Sequence, residues 1–273
     1  MPQTIQRART KKRPKPAKTY RFDARLNEEQ KLIIQRAADL EGRSMTDFVL
    51  HSAQVAAQRT IEDRTIMVLS ARDSEAVVDA ILNPHEPGPV WRTAVREYRE
   101  MMGLKMSRGY RVEALGASLD RTTFDSGVLE LDRYFHHQVG EDARQKAAAP
   151  FVMLDRQNAI VGYYTLSSSV VRLPELPEAI VRELPRFLPV TLLGRLAVSR
   201  SHQGRNLGRI LLVDALERSW RNTAEVGSIG VIVDALDDRA RGFYRHHEFI
   251  ELRDRPNRLF RSMTEIERAS KVR

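Results

Sequence analysis

With 273 residues the chain can hold two compact domains, or one domain with appendages, and its lack of any cysteine excludes disulfides and thiolate metal sites. No apolar run is long enough to cross a membrane and no apolar leader opens the sequence, so a cytoplasmic protein with no membrane or metal partner is expected. The net charge of +9 is uneven: residues 1–64 hold 14 Lys and Arg against 8 Asp and Glu, residues 65–105 hold 5 against 6, and residues 106–273 hold 26 against 22; two basic modules flanking an acidic connector suit nucleic-acid partners, or a plain solvated surface.

Residues 1–18 are basic, contain Pro14 and Pro16, and show no apolar periodicity. They read as a disordered arm that either touches phosphates without sequence preference or is a solvated tail. Over residues 19–26 the chain alternates strictly, with Tyr20, Phe22, Ala24 and Leu26 on one face and Arg21, Asp23 and Arg25 on the other. That is the period of a half-buried strand. Asn27 then caps a helix with the stripe Leu32, Ile33, Ala37 and Leu40. Gly42 ends it, and Ser44 with Asp47 forms a capping box for a second helix. A lone strand leaves its ladder groups unpaired and so small a unit has little core, so a second copy is needed. This order of strand, helix, Gly turn and helix over residues 19–64 resembles the ribbon-helix-helix DNA-binding domain. The resemblance implies a homodimer or higher oligomer through the strand, operator DNA as a partner, and Arg21, Asp23 and Arg25 facing base edges. An ordinary solvent face is the alternative for those three residues.

Residues 65–105 read as a connector. A short apolar segment, 66–69, leads to a helix capped by Ser70 with Asp73 at its third position and Val77, Val78, Ala80, Ile81 and Leu82 as apolar residues. The proline-rich stretch 83–89 breaks it, and a further helix carries Val90, Trp91, Val95, Tyr98 and Met102. These helices have apolar faces but no evident core of their own, so they need another surface to cover. Residues 103–109 look like a seam: Met106 opens Met-Ser-Arg-Gly-Tyr, which reads like the start of a separate protein, an internal Met being the alternative.

From residue 110 to 262 strand and helix patterns alternate. Residues 151–154 and 160–166 read as a hairpin around the polar turn 155–158, and 174–189 is punctuated by prolines. An apolar strand, 191–198, runs into a loop with Gly204 and Gly208, and the loop into an apolar-periodic helix. Such a loop offers unpaired backbone N–H groups at a helix N-terminus, where the macrodipole favours negative charge, so it can hold a pyrophosphate. A second strand, 230–234, and the pair Phe243-Tyr244 follow. In order and spacing these pieces resemble the core of the GNAT family of acetyl-CoA-dependent N-acetyltransferases. Gln203 to Gly208 is similar to the family's Gln/Arg-x-x-Gly-x-Gly/Ala loop, and Phe243-Tyr244 to its Phe-Tyr-x-x-x-Gly-Phe element. Asn206 and Glu248 stand where the family has glycine. Asn tolerates left-handed backbone angles, and position 248 is expected to be structural rather than chemical.

The resemblance implies an α/β GNAT acyltransferase domain over residues 106–273 with acetyl-CoA as cofactor. Gln203, Gly204, Arg205, Asn206, Leu207, Gly208 and Arg209 would hold the pyrophosphate. Backbone groups of Leu196, Ala197 and Val198 would bind the pantetheine arm and polarise the thioester carbonyl. Tyr244 would be the catalytic proton donor to the departing thiolate; membership of a core aromatic stripe with Phe243 and Phe249 is its alternative. Arg239, Arg241, Arg245, His246 and His247 crowd this segment and are expected to seat an RNA backbone, unless they form a solvated helix face. Neighbouring helical residues do not share a face, so His136-His137 and His246-His247 make no metal site.

Residues 36–48 and the Leu82-Asn-Pro-x-x-Pro pattern resemble antitoxins that partner GNAT toxins. The whole chain therefore resembles a fused antitoxin–toxin pair of the TacA–TacT type: a ribbon-helix-helix domain, a helical neutralising connector and an acetyltransferase. That resemblance implies a self-neutralised enzyme that acetylates the amino group of aminoacyl-tRNA, stops translation, and represses its own transcription. Two other readings stay open: a transcription factor whose acetyltransferase-like domain senses acetyl-CoA or is catalytically dead, and an acetyltransferase of a protein lysine or small amine.

Overall fold

The computed structural model describes residues 24–103, 109–173 and 184–271. The arm 1–18, Arg21, Asp23, Met106 and the prolines of 174–183 lie outside the described residues. The chain divides into two compact units, Met1–Gln58 and Arg59–Arg273.

In the first unit Asn27 accepts from the Gln30 N–H (2.8 Å) while the Gln30 side chain accepts from the Asn27 N–H (3.1 Å). This reciprocal cap starts helix α1, Glu28–Leu40. Gly42, at φ +65°, turns the chain after it. The Ser44 hydroxyl accepts from the Asp47 N–H (3.1 Å) and starts α2, Met45–Thr65. Residues 24–26, the described end of the expected strand, have no ladder partner within the single chain.

The second unit is built on a mixed sheet. Its elements are β1 (Ile66–Val68), α3 (Ala71–Leu82), α4 (Pro89–Gly103), β2 (Arg111–Ala114), α5 (Leu129–His137), α6 (Val139–Arg144), β3 (Ala149–Leu154), β4 (Ile160–Arg172), β5 (Phe187–Val198), α7 (Leu207–Asn222), β6 (Gly230–Asp234), α8 (Asp238–His246), β7 (Ile250–Glu251), β8 (Arg258–Ser262) and α9 (Met263–Lys271). Among the described residues seven strands run in the order β2-β3-β4-β5-β6-β8-β7, and an eighth, β1, is added parallel to the far end of β4. The segment 66–69, left without a partner by its sequence, is therefore a strand of this sheet.

Alternation assigns the two faces. On β6, Val231 and Val233 join one core and Ile232 the other; on β3, Met153 joins the first while Val152 and Leu154 pack under α5 and α6. Helix α7 is apolar almost all round, with Leu207, Ile210, Leu211, Leu212, Val213, Ala215 and Leu216 all buried. A helix of that kind must be covered on both sides. Strands β4 and β5 cover one side, and α4 and α9 the other. The connector is thus part of the acetyltransferase core: Trp91 (1% exposed), Val95 and Tyr98 lie in the same cluster as α7. Helix α3 packs on the opposite face, where buried Asp73 accepts from the N–H groups of Arg253 (2.7 Å) and Asp254 (3.2 Å).

Candidate active site

Strands β5 and β6 pair in parallel only from Thr191 to Leu193 against Val231 to Val233. Beyond that point β5 runs on to Val198 without its neighbour. The pairing of β5 with β4 shifts register between Thr165 and Leu166, leaving Gly194 as the extra residue of a bulge. A cleft of about 1260 Å³ opens where the two strands part. Its walls are Gly194 to Val198 of β5, residues 234–237 at the end of β6, the 203–206 loop with the first turn of α7, one face of α8, and residues 126–128 with the first turn of α5.

The loop has the backbone form its sequence requires. Gly204 (φ +76°) and Asn206 (φ +61°) are left-handed. The first intrahelical donor of α7 is the Ile210 N–H, on the Asn206 carbonyl (3.2 Å). The N–H groups of Leu207, Gly208 and Arg209 precede it and have no helical acceptor. A Cβ built on Gly208 already touches Val198 (3.8 Å) and Phe243 (3.9 Å), so any longer side chain would fill the space in front of the helix. This cradle fits a pyrophosphate, and the open edge of β5 beside it fits an extended amide-bearing arm. The Gln203 carboxamide donates to the carbonyls of Ser126 (2.9 Å) and Val198 (3.0 Å), tying the loop to both walls. Nothing in the sequence signalled that role.

Leu196, Ala197, Val198, Gln203, Gly204, Asn206, Leu207, Gly208 and Arg209 all line the cleft. Arg205 does not line it; its guanidinium donates to the Tyr110 hydroxyl (3.4 Å). Tyr244 lines the cleft across from the loop, and burial raises its phenol well above the ordinary value. At neutral pH it is a proton donor and not a base. Its core contacts are also present: Phe243 and Phe249 meet its ring edge-on.

The basic segment around Tyr244 separates. Arg239 and His246 are exposed and line the cleft. Arg241 and Arg245 turn to Glu251 (3.5 and 3.4 Å). His247 is buried and donates from Nδ1 to the Phe243 carbonyl (2.8 Å), and burial lowers its pKa, so it is neutral at pH 7. Of the five residues expected to seat RNA, Arg239, His246 and the buried His247 line the cleft while Arg241 and Arg245 do not, because one helix cannot point five neighbours the same way. Arg195, at mid-strand in β5, also lines the cleft and stacks over the Tyr134 ring (3.4 Å to its centre). In the first unit Arg25 is exposed. Among the described residues no group of three His, Cys, Asp or Glu is placed to hold a metal ion, and no helix is long and apolar enough to cross a membrane.

Glu248 explains its own departure from glycine. It sits at φ +65°, the conformation glycine adopts most easily. Its carboxylate accepts from the N–H groups of Gly88 (3.1 Å) and Trp91 (3.3 Å) at the start of α4, and from Arg261 (3.2 Å). Arg261, 1% exposed, also stacks on Trp91 (4.4 Å). The residue that strains the backbone therefore anchors the connector.

A strand edge freed beside a phosphate-holding loop is built for an acyl group tethered to a nucleotide, which makes this unit an acyltransferase by class. Comparison with known proteins gives the same class: residues 114–249 match the acetyltransferase (GNAT) family, and residues 21–100 match the family described as antitoxin TacA 1-like. A tRNA-acetylating toxin of Mycobacterium tuberculosis is 39% identical over 130 residues, 48% of this chain and 78% of that one. The structure of AtaTR bound with acetyl-CoA is 30% identical, with a TM-score of 0.54, covering 58% of this chain and 96% of that one. AtaT complexed with acetyl-methionyl-tRNAfMet is 29% identical, with a TM-score of 0.53, covering 58% and 97%. The chain belongs to the GNAT family of acetyl-CoA-dependent acetyltransferases, preceded by a TacA-like antitoxin segment.

Proposed function

We propose that the second unit transfers an acetyl group from acetyl-CoA to the amino group of aminoacyl-tRNA and so inhibits translation in the cytoplasm. The antitoxin-like segment restrains this activity within the chain, and the N-terminal unit, as a dimer, binds operator DNA for autorepression. One observation carries the reading: the loop 203–209, the free edge of β5 and Tyr244 converge on a single cleft. The tRNA-acetylating relative and the AtaT complexes with acetyl-CoA and acetyl-methionyl-tRNAfMet support it.

Acetyl-CoA supplies a thioester activated for attack by an amine. An α-amine of pKa roughly 7.7–8.0 is partly neutral at physiological pH, so the chain need not provide a strong base. The β5 N–H groups at Leu196 to Val198 are the candidates to stabilise developing negative charge on the carbonyl oxygen. The Tyr244 Oη keeps its proton through the neutral range and would donate it to the thiolate released from a bound thioester. Arg239 at the rim supplies positive charge for an RNA backbone, and His246 beside it a ring that can hydrogen-bond to it. Asn206 holds the left-handed angle of the loop and Glu248 has a structural task, so neither departure argues for a dead site.

The test is incubation of the full-length chain with acetyl-CoA and purified charged tRNA. N-acetylated aminoacyl-tRNA is the expected product. Tyr244→Phe should keep cofactor affinity and lower turnover by about 100-fold or more, since it removes only the donor. Full turnover in that variant would remove Tyr244 from the chemistry. Acetyl-CoA binding without any acetylation of charged tRNA would favour the acetyl-CoA-sensing reading.

A further inference from the structure

The antitoxin-like match reaches residue 100, so it includes most of helix α4, Glu97 among its residues. Yet no described residue between 66 and 103 lines the cleft. The connector touches the cofactor machinery at another point. Glu97 of α4 forms an ion pair with Arg209, in the first turn of α7 beside the loop. The pair is partly buried, with side-chain exposures of 30% and 18%. Arg209 Nε is buried and has no hydrogen-bond partner, so Glu97 is the anchor of that guanidinium.

The position of Glu97 is not accidental to a mobile surface helix. Glu248 fixes the start of α4 through Gly88 and Trp91. One residue after Glu97, the Tyr98 hydroxyl donates to buried Asp214 (2.7 Å). A side chain between two such fixed points holds a constant place against α7. Electrostatics then sets the sign. A helix N-terminus and an adjacent guanidinium both attract anions. Glu97 already places a carboxylate against that guanidinium. It offsets part of the positive potential that would otherwise act on a cofactor phosphate.

We propose that Glu97 sets the affinity of the cleft for its phosphate-bearing donor by holding Arg209, so that the antitoxin-like segment restrains the enzyme by charge at the phosphate anchor and not by covering the cleft. This rests on the acetyl-CoA reading of the cleft. The experiment is calorimetric titration of acetyl-CoA into the full-length wild type, Glu97→Gln, Arg209→Gln and the double variant, at low and moderate salt. Glu97→Gln should bind about fivefold more tightly at low salt, as expected for removing one like charge at a partly solvated site, and the gain should shrink as salt is added. In the Arg209→Gln background the same change should do nothing. A merely structural Glu97 would weaken binding when replaced, or lower the melting temperature without tightening binding. Unchanged or weaker binding in a folded Glu97→Gln protein overturns the inference and leaves the cleft in place. A wild type that binds no acetyl-CoA brings down the cleft reading and this inference together.

Discussion

Helices α1 and α4 are both amphipathic, but they end in opposite situations. In the first unit Ala38 is buried, but Leu32 is 71% and Leu40 83% exposed, so much of the apolar stripe of α1 is left open among the described residues. In the second unit the stripe of α4, from Trp91 through Ala94, Val95 and Tyr98 to Met101, is buried to the last residue. An apolar face this size stays exposed only if its partner is another molecule. The antitoxin-like region therefore contains one helix whose apolar stripe is left exposed, which suits the proposed dimer, and one that is buried against the acetyltransferase to which it is joined.

The sharpest way to break this comparison is to remove the anchor of α4. Trp91→Ala should lower the stability of the acetyltransferase unit by about 3–5 kcal/mol, through cavity formation and the loss of the Arg261 stacking partner. Chemical denaturation measures it; a change below about 1 kcal/mol would mean that α4 rides on a core complete without it. Glu248→Gly restores the family residue and relieves the positive φ, yet it should cost about 2–3 kcal/mol, because buried Arg261 loses its carboxylate and α4 loses its cap. A more stable glycine variant would show that the strain outweighs the anchor. Tyr98→Phe should cost about 1 kcal/mol, since Tyr164 and Arg218 still donate to Asp214. At the other end, Ile33→Asp on α1 should leave the melting of the acetyltransferase unit unchanged while light scattering shows the dimer falling to monomers. A monomeric wild type would remove the contrast between the two helices.

Much of the second unit was legible because its signals are local. The cap at Ser70, the turn residues around Asp155, the alternation of β3 and β4, and Gly204 with Asn206 before an apolar helix each specify backbone within a few residues. The cleft followed, since its loop and Tyr244 belong to motifs that keep a fixed order. Of the basic residues expected to seat RNA, Arg239, His246 and His247 reach the cleft, whereas Arg241 and Arg245 share their sequence but turn to Glu251. Gln203 was placed in the loop without its cross-strand role, which depends on carbonyls of Ser126 and Val198 that only folding brings near. The terminal helix α9 was missed, although Met263, Ile266 and Ala269 have helical spacing.

By itself the sequence determined where helices and strands start, which loop can cradle phosphate, and that two unrelated basic modules share one chain, because capping, alternation and left-handed turns are short-range. It also left the apolar faces of the connector helices without a core of their own, so another surface had to be covered by them. Only the tertiary structure decided what that surface is. It made residues 66–68 a strand of the sheet, buried α4 against α7, turned Glu248 from an odd residue into the cap of a helix about 160 positions away, and set Glu97 against Arg209. These are contacts between residues far apart in the chain, some of them between apolar surfaces and the most specific of them between polar or charged groups. The pairing of such residues depends on which surfaces the core brings together, and no pattern within one segment encodes it.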